Sequence, residues 1–500
     1  MPKRVHFVSL GCAKNTVDSQ VMLGHLVQGG YEPTDDASVA DLIVVNTCGF
    51  LDAAKEESVD TILEMSRFKT EGRCDKLVVT GCLSQRYAPD LAREIPEVDH
   101  FLGTGNFEEI LAHVDPEALE QRAQQPVPKS GLRILQATSP EPHATQPSTK
   151  PHPRLGGHDP LVPYRHPAAP DGSHKVAIPD PDFTLSAASP RLLTGPQHSV
   201  YLKISDGCSN TCAFCVIPKL RGPQRSRPVD DVVREARGLL ALGAVELNLI
   251  AQDLCAYGKD REPRQTLAQL LRALDDLADE QDHPVWIRSL YAYPRGLTRE
   301  VIDVLARARH IVPYLDMPLQ HISDHLLRRM RRGKGGTATR ELVRRLRTDV
   351  PGLHLRTTLI TGLPGETEGD FAELVDFVAE ARFEQLGVFA YSPEEDTPAA
   401  LMTGQVERAV ADARREQVMA LQRRISAEQQ QAFLGLTVEV LVDGVSEETD
   451  LLLVGRHAGQ APDIDGVTYI NDGEASPGDL VRVRIDQAGD YDLVGGIVSA

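Results

Sequence analysis

The chain has 500 residues, of which 41% are hydrophobic, and its formal net charge is −19. This length exceeds a single hydrophobic core, so several domains are expected, and the negative charge disfavours direct binding of nucleic acid through phosphate neutralisation. No apolar run is long enough to span a membrane, and the start "MPKRVHFVSLGC" lacks the apolar core of a signal peptide. We therefore expect no membrane association and a cytoplasmic location, where cysteines stay reduced and act as metal ligands or catalysts.

Residues 1–115 alternate strand-like and helix-like segments, which predicts βαβ units and a parallel sheet. The strand-like runs "VHFVSLGC", "ADLIVVNTC" and "DKLVVTGC" lead to Cys12, Cys48 and Cys82. Ligands of open α/β sheets gather at the carboxyl ends of the strands, so these thiols form a candidate metal-cluster site. Buried apolar cysteines are the alternative, but three cysteines at equivalent strand ends favour ligands.

Residues 116–197 differ in composition, because they contain 16 of the 34 prolines and show little periodicity. A segment of this kind buries too little apolar surface to order itself. The sequence therefore predicts a proline-rich, mostly disordered linker.

Residues 198–432 return to alternating strands and helices, with six strand patterns and a long polar helix at about 403–432. Six βα units are too few for a closed eight-stranded barrel and indicate an open (β/α)6 partial TIM barrel. Its chemistry is expected at the carboxyl ends of the strands.

Residues 433–500 contain four further strand patterns separated by turns, which predict a small antiparallel β-barrel. This segment has three Arg, no Lys and 13 acidic residues, so it carries −10 of the net charge. Two interpretations stay open, an ordinary solvated acidic surface and a docking surface for a basic partner.

Three cysteines follow the first strand pattern of the partial barrel in "SDGCSNTCAFCVIPKLRG". Cys208, Cys212 and Cys215 have the spacing C-x3-C-x2-C. A four-iron cubane usually takes four protein thiolates, so three of them leave one iron open. An open position is typical of a catalytic metal, whereas a structural site closes itself.

This spacing, with Phe214 before the last cysteine, resembles the radical S-adenosylmethionine (SAM) superfamily. The resemblance implies that SAM chelates the open iron and is cleaved to methionine and a 5′-deoxyadenosyl radical. It also implies SAM contacts at three strand ends, from Gln252 in "IAQD" to the amino group, from Gln320 in "LDMPLQH" to the ribose, and from Gly362 in "TLITGLPGETE" to the adenine. Taken alone, "GLPGE" is equally an ordinary turn before a helix.

The order of parts resembles the methylthiotransferases, whose terminal barrel is called TRAM. The resemblance implies that Cys12, Cys48 and Cys82 hold a second 4Fe-4S cluster that serves sulfur delivery, with no catalytic side chain beyond the clusters. Segments such as "LIAQDLCAYG", "RSLYAYP" and "GRHAGQAPDIDGVTYI" resemble the RimO-like branch, which modifies the β-carbon of an aspartate in ribosomal protein S-twelve and needs an electron donor.

Two alternatives to this interpretation remain. The first is a transfer-RNA adenosine methylthiotransferase (MiaB-like), although that branch usually has "GQN" and "SHP" where this chain has "AQD" and "AYP". The second is a non-catalytic iron–sulfur carrier or ribosome-assembly adaptor, which would need no SAM pocket.

Overall fold

The computed structural model describes residues 2–122, 134–135, 162–164, 166, 175–333 and 335–498. The chain forms two compact units. Unit 1 comprises Met1–Thr194, Ser205–Arg227 and Glu394–Pro398, and unit 2 comprises Gly195–Ile204, Pro228–Pro393 and Ala399–Ala500.

The elements are numbered in chain order. The strands are β1 Arg4–Ser9, β2 Glu32–Pro33, β3 Leu42–Thr47, β4 Lys76–Gly81, β5 His100–Leu102, β6 Ile134–Leu135, β7 Val176–Ala177, β8 Arg191–Leu192, β9 Ser199–Lys203, β10 Ser205–Asp206, β11 Arg225–Ser226, β12 Glu246–Ile250, β13 Trp286–Ser289, β14 Ile311–Asp316, β15 His354–Thr361, β16 Gln385–Ala390, β17 Thr437–Val445, β18 Leu453–His457, β19 Thr468–Asp472, β20 Leu480–Ala488 and β21 Leu493–Ile497. The helices are α1 Ala13–Gln28, α2 Asp52–Ser66, α3 Phe68–Glu71, α4 Cys82–Glu94, α5 Ile110–Val114, α6 Pro116–Arg122, α7 Ile217–Arg221, α8 Val229–Ala241, α9 Leu267–Asp279, α10 Arg299–Arg307, α11 Asp324–Arg329, α12 Gly336–Asp349, α13 Glu368–Ala381 and α14 Arg408–Gln431.

Unit 1 is built on a parallel sheet of six strands in the order β2-β1-β3-β4-β5-β7. The central strand β3, "LIVVNT", is buried along its whole length, as expected for a parallel strand covered on both faces. Two separate hydrophobic clusters, one containing Val44 and the other Val45, pack the two faces of this strand. The predicted parallel α/β sheet is confirmed.

The segment predicted as a linker at 116–197 differs from that prediction over its described C-terminal part. Val176–Ala177 pairs in parallel with β5, and both residues of β8 are buried, as is Leu185. Short apolar pieces of this segment extend one edge of the sheet or pack on its surface. Their apolar pattern is hard to recognise in the sequence because prolines surround them. Most of 123–174 lies outside the described residues, so disorder there stays a prediction, as do the domain boundaries at 115, 197 and 432.

Unit 2 contains an open sheet of six parallel strands in the order β16-β15-β14-β13-β12-β9. All six strand patterns predicted between 198 and 395 form strands of this sheet, and helices connect them. The (β/α)6 partial TIM barrel is therefore confirmed.

The C-terminal part of unit 2 is a closed barrel of five strands in the order β17-β18-β19-β21-β20. The predicted small β-barrel is confirmed; its pairs are antiparallel except β19 and β21, which run parallel. The strand missing from the prediction, β21, has the sequence "LVGGI", whose two glycines conceal the strand pattern.

The long polar helix predicted at about 403–432 is α14, at Arg408–Gln431. It packs against β16, β15 and α13 of the partial barrel. Across the described ranges, no helix combines the length and apolar character needed to cross a membrane.

A fully buried ion-pair group joins the small barrel to the partial barrel. Glu246, the first residue of β12, accepts hydrogen bonds from Arg288 at 2.8 Å and from Arg456 of β18 at 2.9 Å. Burial would raise the pKa of Glu246, but the two guanidiniums outweigh it and lower that pKa to about 2. Since breaking a buried pair costs about 3–5 kcal/mol, this group fixes the small barrel at the amino end of the sheet, opposite the edge where chemistry is expected.

Candidate functional site

The three cysteines predicted as a cluster site in unit 1 stand at the carboxyl ends of neighbouring strands. Cys12 caps the N-terminus of α1, Cys48 follows β3, and Cys82 begins α4 directly after β4. Burial raises the pKa of Cys82 to about 12, and the charges of Cys48 and Cys12 add to this rise. Burial also raises the pKa of Cys48, again with a contribution from Cys12. A Cβ on Gly49, the residue after Cys48, would lie 2.8 Å from the carbonyl carbon of Cys82, so these two cysteines are near neighbours.

The surroundings of these thiols fit a cluster. Gly11 has a φ of +92°, and a Cβ there would lie 2.9 Å from Cβ and 3.3 Å from Sγ of Cys48, so a side chain would enter the space beside the thiol. Cys12 and Cys82 lie at helix N-termini, where free backbone N–H groups and the helix dipole leave a partial positive charge. Within the described ranges no group of three His, Cys, Asp or Glu is arranged around a single metal ion; a cubane is larger than one ion and takes thiolates that stand farther apart.

The second set of cysteines also lies in unit 1, in a loop closed by its own backbone. The N–H of Cys208 donates to the carbonyl of Gly222 at 3.0 Å, and the N–H of Cys215 donates to the carbonyl of Cys212 at 3.1 Å. Gly207 has a φ of +72°, and a Cβ there would collide with the Pro223 carbonyl. The glycine therefore allows the two ends of the loop to approach.

The thiols of this loop differ in exposure. Cys208 and Cys212 are buried, whereas Cys215 and the preceding Phe214 are half-buried. The donor set of three thiols, with none of the eight cysteines in a disulfide, fits a cubane with one open iron.

The segment after the second set packs on the first set. Val216 and Leu220 form an apolar cluster with Cys82, and Thr104 Oγ1 donates to the Leu220 carbonyl at 2.7 Å. All six predicted ligands are thus placed within one compact unit, which the sequence alone did not indicate.

A polar group beside the first set was not foreseen from the sequence. Arg221, at the end of α7, donates to Asp18 at 2.6 Å and lies 3.4 Å from Asp206, and it also bonds Asn15. No local pattern in the sequence indicated this group, because nearly every residue of α1 is buried, Asn15 and Asp18 among them.

In unit 2, two residues predicted to contact SAM stand at the carboxyl edge of the parallel sheet. Gln252 lies two residues beyond β12, and Gln320 lies beyond β14. The N–H of Gln320 donates to the Thr358 carbonyl at 2.8 Å, and its own carbonyl accepts from Ile360 at 2.7 Å. Gln320 also has a φ of +73°, uncommon for a residue other than glycine, so the backbone holds this side chain in a defined place.

Gly362, predicted to lie against the adenine, follows β15 with a φ of +76°. Its N–H donates to Glu366 at 2.7 Å, and a Cβ at this position would collide with Cβ of Ala411 in α14. The close approach that requires glycine here is the approach of α14. Contact with the adenine stays a prediction.

Comparison with known sequences agrees with this division of the chain. Residues 4–103 match the family described as "Uncharacterized protein family UPF0004", residues 202–378 match the radical SAM superfamily, and residues 434–498 match the TRAM domain. Over 496 residues the chain is 52% identical to "Ribosomal protein uS12 methylthiotransferase RimO" of Anaeromyxobacter sp. (strain Fw109-5), covering 99% of this chain and 93% of the relative.

The chain belongs to the RimO family. RimO of Myxococcus xanthus is 48% identical over 497 residues, covering 99% of this chain and 92% of the relative. RimO of Geobacter sulfurreducens is 45% identical over 500 residues and covers 99% of both chains. As a member of the RimO family the chain is a radical SAM enzyme of the methylthiotransferase class, and its cofactors are 4Fe-4S clusters and SAM.

Solved structures share this fold at lower similarity. The radical S-adenosylmethionine methyltransferase TsrM from Kitasatospora setae superposes with a TM-score of 0.51 at 18% identity, covering 87% of this chain and 76% of that chain. At this identity the comparison supports the fold that the RimO family shares with TsrM, and the roles of individual residues rest on the geometry above.

Proposed function

We propose that this protein methylthiolates ribosomal protein uS12, replacing a hydrogen on the β-carbon of an aspartate with a methylthio group. The observation that carries the proposal is the 52% identity over 99% of the chain to a uS12 methylthiotransferase. The geometry agrees, because two sets of three thiols, each one ligand short of a closed cubane, occupy one compact unit.

The proposal assigns the two sets to different tasks. Cys208, Cys212 and Cys215 hold the cluster that binds SAM, and the set at Cys12, Cys48 and Cys82 holds the cluster that serves sulfur delivery. When bound, these groups supply one-electron cleavage of SAM and a source of sulfur, chemistry that no side chain offers at an unactivated C–H bond.

The protein's own residues bind and orient. The backbone of the 208–222 loop fixes the second thiol set, while Cys12 and Cys82 stand at the partially positive N-termini of α1 and α4. At the sheet edge of unit 2, the strained backbone of Gln320 presents a polar side chain for SAM, and we assign SAM contacts also to Phe214, Gln252 and Gly362. A one-electron donor and a cytoplasmic setting complete the proposal, because the thiols must stay reduced.

The small barrel favours a basic protein over transfer RNA as substrate, although part of its negative charge serves the fold. The carboxylate of Asp465 is fully buried and accepts from Tyr314 at 2.7 Å and from Arg356, and Asp463 accepts from Tyr201 at 2.6 Å. The acidic residues that are exposed and make no ion pair among the described residues are Glu439, Glu447, Glu448, Asp450, Asp463, Asp472, Glu474, Asp479 and Asp486. Such a surface repels phosphates and attracts a basic partner.

A comparison of substrates tests the proposed function. The anaerobically reconstituted enzyme, with SAM, a reductant and a sulfide source, is offered uS12 and transfer RNA in separate reactions and analysed by mass spectrometry. We expect one methylthio group on the aspartate of uS12 and none on transfer RNA. Modification of transfer RNA with uS12 untouched would replace this proposal with the MiaB-like function.

A second experiment tests the role of the acidic surface. Glu447, Glu448 and Asp450 lie in one exposed loop, so E447Q, E448Q and D450N together remove three surface charges without breaking an ion pair among the described residues. We expect the association rate with uS12 at low salt to fall by about twofold to tenfold, an effect that fades at high salt. Individual exposed charges add little to the stability of a bound complex. We therefore expect the association rate to change and the dissociation rate to stay nearly the same.

The matched control removes three exposed charges from the partial barrel instead, with E262Q, D276N and D282N. Stopped-flow fluorescence at several ionic strengths measures both variants. Equal slowing in the two variants would show that only the total charge of the protein counts, which would contradict a docking role for the small barrel.

A further inference from the structure

Arg221 is a buried cation that contacts both segments bearing the predicted cluster ligands. Its side chain is 3% exposed and donates to Asp18, which is 1% exposed and lies in the helix that Cys12 caps. The same guanidinium lies 3.4 Å from Asp206, two residues before Cys208, and bonds the Asn15 side chain. Asn15 in turn donates to the carbonyls of Leu10 at 2.9 Å and Thr47 at 3.0 Å, which precede the first two cysteines.

The guanidinium also acts on the first thiol set. Leu220, the residue before Arg221, packs against Cys82, and the positive charge of Arg221 partly offsets the rise that burial imposes on the pKa of that thiol. The thiolate charges of Cys82 and Cys12 favour the charged form of Arg221 in return, and Arg221 favours the thiolate of Cys48. Arg221 is thus a fixed positive charge beside three candidate cluster ligands.

We propose that Arg221 is a positioning residue that ties the two cysteine sets together and raises the reduction potential of the cluster held by Cys12, Cys48 and Cys82. The inference rests on the proposed assignment of these three cysteines as ligands. It adds to the three cysteines a charged residue, Arg221, that shifts the reduction potential of their cluster.

The direction follows from charge. Reduction adds one negative charge to a cluster, and a buried cation stabilises the more negative state, more strongly in a protein interior than in water. Net charge and hydrogen bonds to the sulfurs are among the factors that set the potential of such clusters. Arg221 supplies a positive charge, so it favours reduction. The carboxylate of Asp18, which is bonded to Arg221 and carries the opposite charge, disfavours reduction.

The experiment isolates the first cluster in the full chain by replacing Cys208, Cys212 and Cys215 with Ala. In this background Arg221→Met, Arg221→Lys and Asp18→Asn are compared by redox titration monitored by electron paramagnetic resonance, with iron content as the check of loading. Asp18→Asn serves as the charge-inverted counterpart of Arg221→Met.

We expect Arg221→Met to lower the ratio of reduced to oxidised cluster about tenfold at fixed ambient potential, a shift of about 59 mV for a one-electron couple. Asp18→Asn should shift the potential the opposite way, and Arg221→Lys, which keeps the charge, should stay near the parent. A purely structural role would not give shifts of opposite sign.

The outcomes separate this inference from the function on which it rests. A parent that holds no iron would show that Cys12, Cys48 and Cys82 are not ligands, and both assignments would fall. A parent with about four irons whose potential is the same in all variants, or moves the same way in Arg221→Met and Asp18→Asn, would overturn the role of Arg221 alone. If Arg221→Met fails to fold, the other two variants decide. Asp18→Asn should then raise the reduction potential, and Arg221→Lys should leave it near that of the parent.

Discussion

Replacing Cys208, Cys212 and Cys215 together with Ala is expected to halve the iron content, from about eight to about four atoms per chain, and to abolish cleavage of SAM. The reason is that two separate sets of three thiols are present, and only this set has the C-x3-C-x2-C spacing of a SAM-cleaving site. Iron and sulfide assays after anaerobic reconstitution give the cluster content, and chromatography of 5′-deoxyadenosine gives the cleavage.

The variant should keep its fold, because the loop is closed by groups other than the thiols. The hydrogen bond from the Cys208 N–H to the Gly222 carbonyl and the turn at Gly207 do not depend on sulfur. Cys74→Ala and Cys255→Ala form the matched control, since both are buried cysteines outside the two sets, and these variants should retain about eight irons. A triple variant that still holds eight irons would contradict the assignment of Cys208, Cys212 and Cys215.

The strands that position the first thiol set could be predicted from the sequence because each is a continuous apolar run. "LIVVN" and "KLVVTG" are buried on both faces of the sheet and are rich in β-branched residues. The end of each strand, just before its cysteine, is therefore clear from the sequence. The six strands of the partial barrel followed from the same rule, with helical periodicity between them.

Short elements could not be recognised by this rule. Strand β7 has two residues, and its order comes from pairing with β5 instead of from its own pattern. The ion pair of Arg221 and Asp18 could not be recognised from the sequence either, because the two residues lie 203 positions apart and have no local signature. Contacts of this range depend on the complete fold.

The conformation of Asp396 has a physical explanation in the structure. Asp396, the last residue of "EED" at 394–396, has a φ of +60°, a conformation that favours glycine and that aspartate tolerates. Its carboxylate accepts from the Tyr164 hydroxyl at 2.8 Å, a bond that glycine cannot make. The neighbouring Glu394 is buried and accepts from Lys55 at 2.7 Å and Arg86 at 3.1 Å.

The net charge of the small barrel does not show which of its carboxylates face solvent. Asp465 is fully buried and accepts a hydrogen bond from Tyr314, whereas Asp463 is exposed and accepts one from Tyr201. A count of acidic residues does not distinguish carboxylates that neutralise buried arginines from those that face solvent. The exposed loop at 447–450 is therefore the sharper test of partner binding.

Replacing Cys12, Cys48 and Cys82 together with Ala is expected to separate the two chemical tasks. The variant should hold about four irons and still cleave SAM, yet form no methylthiolated uS12, because the set that serves sulfur delivery is gone while the SAM-cleaving set is intact. Alanine suits the buried position of Cys82, which packs against Val216 and Leu220; serine would bury an unsatisfied hydroxyl there.

Of the two triple variants, this one is the greater risk to the fold. Cys82 packs against Leu220 of α7, and α7 directly follows the second cysteine loop. Arg221 keeps its bonds to Asp18 and Asn15 when the thiol of Cys82 is lost, so the second set should stay in place. Formation of 5′-deoxyadenosine and mass spectrometry of uS12 are measured on the same sample, with the single variant Cys74→Ala as the control that should do both. A folded variant that loses SAM cleavage would show that the first set is not confined to sulfur delivery, and one that still modifies uS12 would show that Cys12, Cys48 and Cys82 are not needed for it.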